Sequence, residues 1–188
     1  MSEAATLLDA IRRLHERLRR RILEACEQAA MEDLGAVAGD EEGDTIYAVD
    51  RIGEGALLEL IEQELADHLP VVVIAEGLPG GALTLPQGAA EASARWRIIV
   101  DPIDGTRGLM YQKRSAWILT GAARNRGPAT TLADIELAVQ TEIPLLKQHL
   151  ADMLWAARSA GARGERWNRL TGERAPLLPR PSRAASIA

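Results

Sequence analysis

The sequence of 188 residues contains no phenylalanine, one cysteine and three histidines. Aromatic residues make up only 3% of the chain, so we expect a core of Leu, Ile, Val and Ala. Because Cys26 has no second cysteine to pair with, an internal disulfide and a multi-cysteine zinc site are both excluded. A lone cysteine also suits a reducing compartment, and we expect a cytoplasmic protein.

Two further absences bear on the class of function. The chain has no run of about 18 or more apolar residues, so we expect no membrane span. It begins with a segment of mixed charge instead of the cationic segment and apolar run of a secretory signal. The net charge of −5 does not supply the basic surface that a phosphate backbone requires, so we expect no nucleic-acid polymer as a partner.

Two segments have the hydrophobic spacing of amphipathic helices. Leucine and isoleucine recur three or four residues apart in the first segment, which predicts a helix over residues 2–31. Charged residues such as Arg12 and Arg19 are assigned to its other faces. A similar pattern predicts a second helix over residues 50–66, and the acidic segment 39–44 between them is predicted to be a loop.

Short apolar runs predict a series of strands after the two helices. These runs cover residues 71–74, 95–100, 116–122, 134–143, 153–158 and 162–167. Segment 78–94 is rich in Gly and Pro and is predicted to be an irregular connection. Helices followed by consecutive strands favour an α+β fold, with helices packed on a largely antiparallel sheet, over alternating βαβ units. We expect a single domain over residues 1–188.

The most informative segment is Asp101-Pro102-Ile103-Asp104-Gly105-Thr106, which directly follows an apolar strand. Pro102 favours an extended conformation at Asp101, so that both carboxylates can face one space. Hard divalent cations prefer oxygen ligands, and the backbone N–H groups of Gly105 and Thr106 could hold a phosphate. Taken alone, the segment also fits a plain acidic turn that binds no ligand, because Asp, Pro and Gly are all common in turns.

Two other carboxylates precede this segment. Glu76 lies just beyond the predicted strand 71–74, so a second strand also ends in a carboxylate. Asp50 opens the second predicted helix. Taken singly, Glu76 fits a solvated loop acid and Asp50 fits an N-cap.

Together and in this order, the three pieces resemble the inositol-monophosphatase-like superfamily of Mg²⁺-dependent, lithium-sensitive phosphatases. Its members have an Asp at a helix start, then a strand ending in Glu-Glu, then a strand ending in Asp-Pro-Ile/Leu-Asp-Gly/Ser-Thr. The resemblance covers about residues 4–168, and the hexapeptide is its specific part. It implies the N-terminal part of an αβαβα sandwich, Mg²⁺ as cofactor, a small phosphorylated substrate of the inositol monophosphate type, and a homodimer.

The resemblance also implies a role for each matching residue. The implied metal ligands are Glu76, Asp101, the backbone carbonyl of Ile103, and Asp104. The implied catalytic residues, which orient and activate a water molecule, are Asp50, Glu76 and Thr106. The implied ligands of the substrate phosphate are Asp104, Gly105 and Thr106. No role is implied for Cys26, His15, His68 or His149.

Two departures from the family pattern stand out. Gly77 occupies the position of a second Glu, and neither Trp155 nor Trp167 is followed by the Asp that completes the second metal site in the family. We therefore expect a C-terminally incomplete domain in which residues 171–188 form an irregular connection. The alternative function is a non-catalytic or truncated phosphatase domain that binds metal, phosphate or a partner protein.

Overall fold

The computed structural model describes residues 2–28, 37–41, 44–158 and 160–177. These residues contain three α-helices, namely α1 (Glu3–Gln28), α2 (Ala48–Glu64) and α3 (Thr106–Met110). Their strands are β1 (Val37–Glu41), β2 (Asp44–Tyr47), β3 (Val71–Ala75), β4 (Ala82–Leu85), β5 (Trp96–Asp104), β6 (Ala116–Arg124), β7 (Ile135–Ile143), β8 (Leu150–Ala157), β9 (Gly161–Asn168) and β10 (Arg174–Leu177).

Eight of these strands form one sheet in the order β10-β9-β8-β7-β6-β5-β3-β4. Neighbouring strands run antiparallel, with the exception of β3 and β5, which are parallel. Strands β1 and β2 form a separate antiparallel pair. The prediction of an α+β fold with a largely antiparallel sheet is therefore confirmed.

Helices α1 and α2 pack side by side and cover one face of the large sheet. The apolar stripe of α1 is buried, and α1 contacts α2 and β7 while α2 contacts β5. Ion pairs from Arg17 to Glu64 and from Arg21 to Glu59 join the two helices at their solvent side. None of the helices described is both long and apolar enough to cross a membrane.

Aliphatic side chains fill the space between the helices and the sheet, as the composition predicts. Alternate residues of each strand point toward the helices, and Ile98, Ile118 and Val139 are almost fully buried there. Burying a side chain of this size stabilises the fold by about 1.5–3 kcal/mol. Trp96 is the largest fully buried side chain of this layer.

Two arginines of α1 lie over tryptophan rings of the sheet. The guanidinium carbon of Arg12 is 3.8 Å from the ring centre of Trp155, and that of Arg19 is 4.5 Å from the ring centre of Trp167. Arg19 is only 4% exposed, so its assignment to a polar helix face is wrong. Burial lowers the pKa of Arg19 to about 10. The stacked tryptophan takes the place of solvent, because a guanidinium is weakly hydrated and packs well on an aromatic face.

The opposite face of the sheet, which we call the open face, is not covered by the described residues. It presents alternate side chains of the central strands, among them Ile99, Leu119 and Leu154, and Ile99 is 39% exposed. A cleft of about 530 Å³ lies along this face. The open face is thus an apolar surface with one end at the C-terminal edge of β5.

The prediction of a loop over residues 39–44 is wrong. Strands β1 and β2 pair across this segment, with Cα partners from Val37 and Tyr47 to Glu41 and Asp44. Pairing of backbone N–H and C=O groups between two strands requires no hydrophobic periodicity, so the acidic composition did not indicate it.

Two other segments that were predicted to be irregular contain short strands. Strand β4 lies within 78–94 and pairs with β3 at one edge of the sheet. Strand β10 lies within 171–188 and pairs with β9 at the other edge, while residues 178–188 lie outside the described residues. An edge strand has one unpaired side, which explains why β10 accommodates Pro176 without a backbone N–H.

A buried histidine links α1 to the two central strands of the sheet. His15 is 0% exposed, and its Nδ1 and Nε2 atoms lie 2.9 Å and 2.7 Å from the hydroxyls of Thr141 and Thr120. A neutral imidazole has one donor and one acceptor, and both are satisfied here. Burial, followed by the charge of Arg19, lowers the pKa of His15 to about 3.

We expect this histidine to make the fold sensitive to mild acid. The unfolded chain binds a proton at His15 below about pH 6.5, whereas the folded chain does not until about pH 3. The free energy of unfolding should therefore fall by about 2 kcal/mol between pH 6.5 and pH 5 through this residue alone. Urea unfolding of the wild type and His15→Gln at pH 7 and pH 5 measures the difference.

The matched control is His149→Gln, because His149 is exposed. That variant should retain the full pH dependence of the wild type, and His15→Gln should lose the part due to His15. An equal pH dependence in the wild type and His15→Gln would contradict the assignment.

Candidate functional site

The parallel pair β3 and β5 brings two of the predicted carboxylates to one edge of the sheet. Ala75 and Val100 are Cα partners at the C-terminal ends of these strands. Glu76 follows Ala75 in an exposed turn, and Asp101 follows Val100. Carboxyl ends of adjacent parallel strands meet at the same edge, so Glu76 and Asp101 are neighbours across the two strands.

Asp101 is held in place by its own backbone. Its Oδ1 atom accepts a hydrogen bond from the N–H of Ile103 at 3.1 Å. Asp side chains commonly bind the backbone N–H two residues further along in this way. The side chain is half-buried, and it is the one ionisable group among the described residues that line the cleft on the open face. The carboxylate therefore faces a largely apolar space.

The segment after Asp101 stays in the sheet before it turns. Strand β5 continues to Asp104, where the sequence predicted an end at residue 100, and Asp104 is a Cα partner of Trp117 on β6. Gly105 then has φ of 94°, a left-handed conformation that only glycine adopts without strain. Asp104 is exposed, so its carboxylate is accessible at the same edge as Glu76.

Thr106 begins helix α3 and ties it back to the strand. Its Oγ1 donates a hydrogen bond to the carbonyl oxygen of Ile103 at 2.9 Å. This bond orients the side chain of Thr106 and uses one of the two lone pairs on the Ile103 carbonyl. Ile103 itself is 5% exposed, and its side chain anchors the turn in the core.

Asp50 is the third residue of α2, close to the predicted helix start. Its side chain lies outside what the structure describes. The predicted cooperation between Asp50 and Thr106 therefore stays a prediction.

The oxygen atoms at this edge are of the ligand type that hard cations prefer. Glu76, Asp101 and Asp104 supply carboxylates, and Ile103 supplies a backbone carbonyl oxygen that also accepts the hydrogen bond from Thr106. Within the described part of the chain, however, no group of three or more His, Cys, Asp or Glu side chains is close enough to hold a metal ion. The edge therefore provides the right ligand type without a closed ligand cage.

The remaining candidates for chemistry lie elsewhere. His15 and Cys26 lie on the buried face of α1, and burial raises the pKa of the Cys26 thiol to about 11. A thiol with a raised pKa is a poor nucleophile at neutral pH. His149 is exposed. His68 precedes the N-terminal end of β3, whereas Glu76 follows the C-terminal end of the same strand.

One residue at this edge was not indicated by the sequence. Arg114 lies in the connection from α3 to β6, and its guanidinium reaches Gly105. No motif contains it, and the only sequence signal was Gly108, a small residue within a short helix.

The sequence matches no protein-family model and no curated protein. Solved structures, in contrast, resemble it in fold. Leishmania major fructose-1,6-bisphosphatase in its holo form matches 93% of this chain and 53% of its own length, with a TM-score of 0.67 and 17% identity.

Two bacterial proteins give similar results. The extragenic suppressor protein suhB from Bartonella henselae matches 83% of this chain and 50% of its own, with a TM-score of 0.58 and 14% identity. Inositol monophosphatase II from Staphylococcus aureus matches 84% of this chain and 48% of its own, with a TM-score of 0.54 and 19% identity. The chain therefore has the fold of the fructose-bisphosphatase and inositol-monophosphatase-like phosphatases, and it spans about half the length of these structures.

Proposed function

We propose that this chain carries the metal-binding and phosphate-binding part of a Mg²⁺-dependent hydrolase for a small phosphate monoester of the inositol monophosphate type. The observation that supports this most strongly is the arrangement at the edge of β3 and β5. The parallel pairing of β3 with β5 brings Glu76 and Asp101 to one sheet edge, and β5 continues to Asp104, which Gly105 and Thr106 follow. The solved structures that share the fold include a fructose-1,6-bisphosphatase and an inositol monophosphatase.

In this proposal Glu76, Asp101, Asp104 and the carbonyl of Ile103 would hold Mg²⁺. When bound, the ion lowers the pKa of a coordinated water and neutralises charge on the phosphate oxygens. Three carboxylates at one sheet edge repel each other without a cation, and this repulsion favours cation binding.

The other residues of the edge position the reactants. The Thr106 hydroxyl is oriented by its hydrogen bond to the Ile103 carbonyl, and in this proposal it would orient a water molecule together with Asp50. The left-handed turn at Gly105 lets the backbone amides of Gly105 and Thr106 approach a phosphate without a side chain between them. Asp104 would contact both the ion and the bound phosphate.

The proposal extends to the setting of the protein. We propose a cytoplasmic homodimer. The family resemblance implies inhibition by lithium, which should be weaker than in the family if the second metal site is incomplete. The chain covers about half of the fructose-1,6-bisphosphatase chain, so the substrate that the whole protein uses is also part of the proposal.

We expect Mg²⁺-dependent release of phosphate from at least one of a panel of inositol, sugar and nucleotide phosphates. Chelation by EDTA should abolish the release, and Asp104→Asn should lower kcat/KM by about a hundredfold or more, because a metal ligand is lost. Phosphate release is measured directly for the wild type and the variants.

The control is Asp67→Asn, which removes an exposed carboxylate in the turn after α2. It should leave kcat/KM unchanged. Activity that survives in Asp104→Asn to the same extent as in Asp67→Asn would contradict the proposed site.

A non-catalytic role is the second candidate. The absence of a closed ligand group of three side chains, within the described residues, favours it. A chain with this role would bind Mg²⁺ or phosphate, with a higher melting temperature in their presence, and would release no phosphate from any ester of the panel.

A further inference from the structure

Arg114 lies in a short connection that folds back over helix α3. The backbone N–H groups of Lys113 and Arg114 both donate to the carbonyl oxygen of Gly108, at 2.9 Å and 3.3 Å. This connection leads into β6, whose first residues are next to the end of β5. Arg114 is therefore held at the edge of the sheet that carries Asp101 and Asp104.

The side chain of Arg114 runs across the backbone of Gly108 toward Gly105. A Cβ atom at Gly108 would lie 2.6 Å from Cγ of Arg114 and 3.0 Å from its Nε, so only glycine leaves room for this path. At the far end, a Cβ atom at Gly105 would lie 3.8 Å from Nη2 of Arg114. The guanidinium is thus placed beside the turn that follows Asp104.

The guanidinium of Arg114 has no carboxylate partner among the described residues. Other arginines of the described chain are paired, for example Arg126 with Asp134 and Arg166 with Asp152. Arg114 is exposed, so an anion has access to it from solvent. A planar guanidinium presents two parallel N–H groups that match the oxygens of a phosphate.

We propose that Arg114 binds the phosphate group of the substrate beside Gly105, and that Gly108 is glycine because the Arg114 side chain must cross it. The inference rests on the proposed function and adds a substrate-binding residue to it. Arg114 would supply fixed positive charge opposite the carboxylates, so that the phosphate is held from two sides. Substrates with a dianionic phosphate should be favoured over their monoanionic forms.

Binding of inorganic phosphate to the wild-type chain, measured by calorimetry with Mg²⁺ present, tests the proposal. Arg114→Gln should raise the dissociation constant by about tenfold or more, because a charge-assisted bidentate contact is lost. Lys113→Gln is the matched control, because it removes a cation from the same connection. The ammonium of Lys113 lies 5.4 Å from the ring centre of Tyr111. It should change the constant by less than about twofold.

Gly108→Ala keeps the charge and displaces the side chain. It should weaken phosphate binding to a similar extent, and Arg114→Gln should cause little further loss when added to Gly108→Ala, because the two changes act on one contact. Circular dichroism and the melting temperature check that each variant is folded. Arg114→Lys, which keeps a charge without the planar fork, should be intermediate and serves if Arg114→Gln does not fold.

The outcomes separate this inference from the proposed function. Equal effects of Arg114→Gln and Lys113→Gln would overturn the inference, as would a wild-type chain that binds no phosphate. Hydrolysis by the wild type with no effect of Arg114→Gln on KM or phosphate binding would leave the proposed function intact and overturn the role of Arg114. Phosphate binding that depends on Arg114 without any hydrolysis would support the inference and contradict the proposed function.

Discussion

Asp101→Asn is expected to lower kcat/KM for phosphate release by about a thousandfold, the largest effect we expect of any single carboxylate. Asp101 is a proposed ligand of Mg²⁺, and it faces a cleft with no other ionisable group among the described lining residues. In a largely apolar cleft, the lost negative charge weakens the attraction for a cation more than it would in bulk water.

Asp101→Asn changes the charge of the side chain and keeps its shape, so we expect the fold to be retained. The Asn Oδ1 atom can still accept the hydrogen bond from the N–H of Ile103, so the turn should be retained. Phosphate release and calorimetric Mg²⁺ binding are measured together with the melting temperature in EDTA.

Asp152→Asn is the control for Asp101→Asn. Asp152 is a partly buried carboxylate on β8, paired with Arg166, and no role at the site is proposed for it. This variant should retain activity and Mg²⁺ binding. Equal Mg²⁺ affinity in Asp101→Asn and the wild type would contradict the role of Asp101 as a metal ligand.

Trp96→Ala is expected to lower the free energy of unfolding by about 3–5 kcal/mol, the largest stability effect of a single substitution that we expect. The side chain is 0% exposed, so its removal leaves a cavity between α1 and β5. Its Nε1 also donates to a carboxylate oxygen of Glu3 at 3.2 Å, and the guanidinium carbon of Arg124 lies 3.9 Å from its ring centre. The cavity and the lost contacts both lower the free energy of unfolding.

Urea unfolding followed by circular dichroism measures this loss. Trp96→Phe keeps most of the ring and removes the N–H, and it should cost only about 1–2 kcal/mol. A loss below about 1 kcal/mol in Trp96→Ala would show that the layer between α1 and β5 collapses around the vacancy.

Much of the fold could be predicted because its signals are local. The apolar stripe of α1 and the runs that became β3 and β5 each specify an element from a few neighbouring residues. The sequence also showed directly that Glu76 and Asp101 follow these two apolar runs. That the two carboxylates are neighbours depends on the parallel pairing of β3 with β5, which no local pattern encodes.

The elements that the sequence did not indicate depend on pairing between distant residues. Strand β10 is stabilised by β9 through backbone hydrogen bonds, and its own four residues include a proline and an arginine. The path of Arg114 over Gly108 could not be predicted either. It depends on how the connection after α3 folds back, and the local sequence does not indicate that conformation. The roles of Asp50 and Thr106 in activating water remain predictions.

The four tryptophans of this chain are distributed over four strands of one sheet, at Trp96, Trp117, Trp155 and Trp167. Trp96, Trp155 and Trp167 each have an arginine guanidinium over the ring, while Trp117 has no such contact among the described residues. Trp117 is instead the cross-strand partner of Asp104. Its fluorescence emission should therefore respond to the local electric field at the carboxylate edge, while the other three report on the packing of α1 against the sheet. In a variant that retains Trp117 alone, a change of emission should thus report ligand binding at the carboxylate edge.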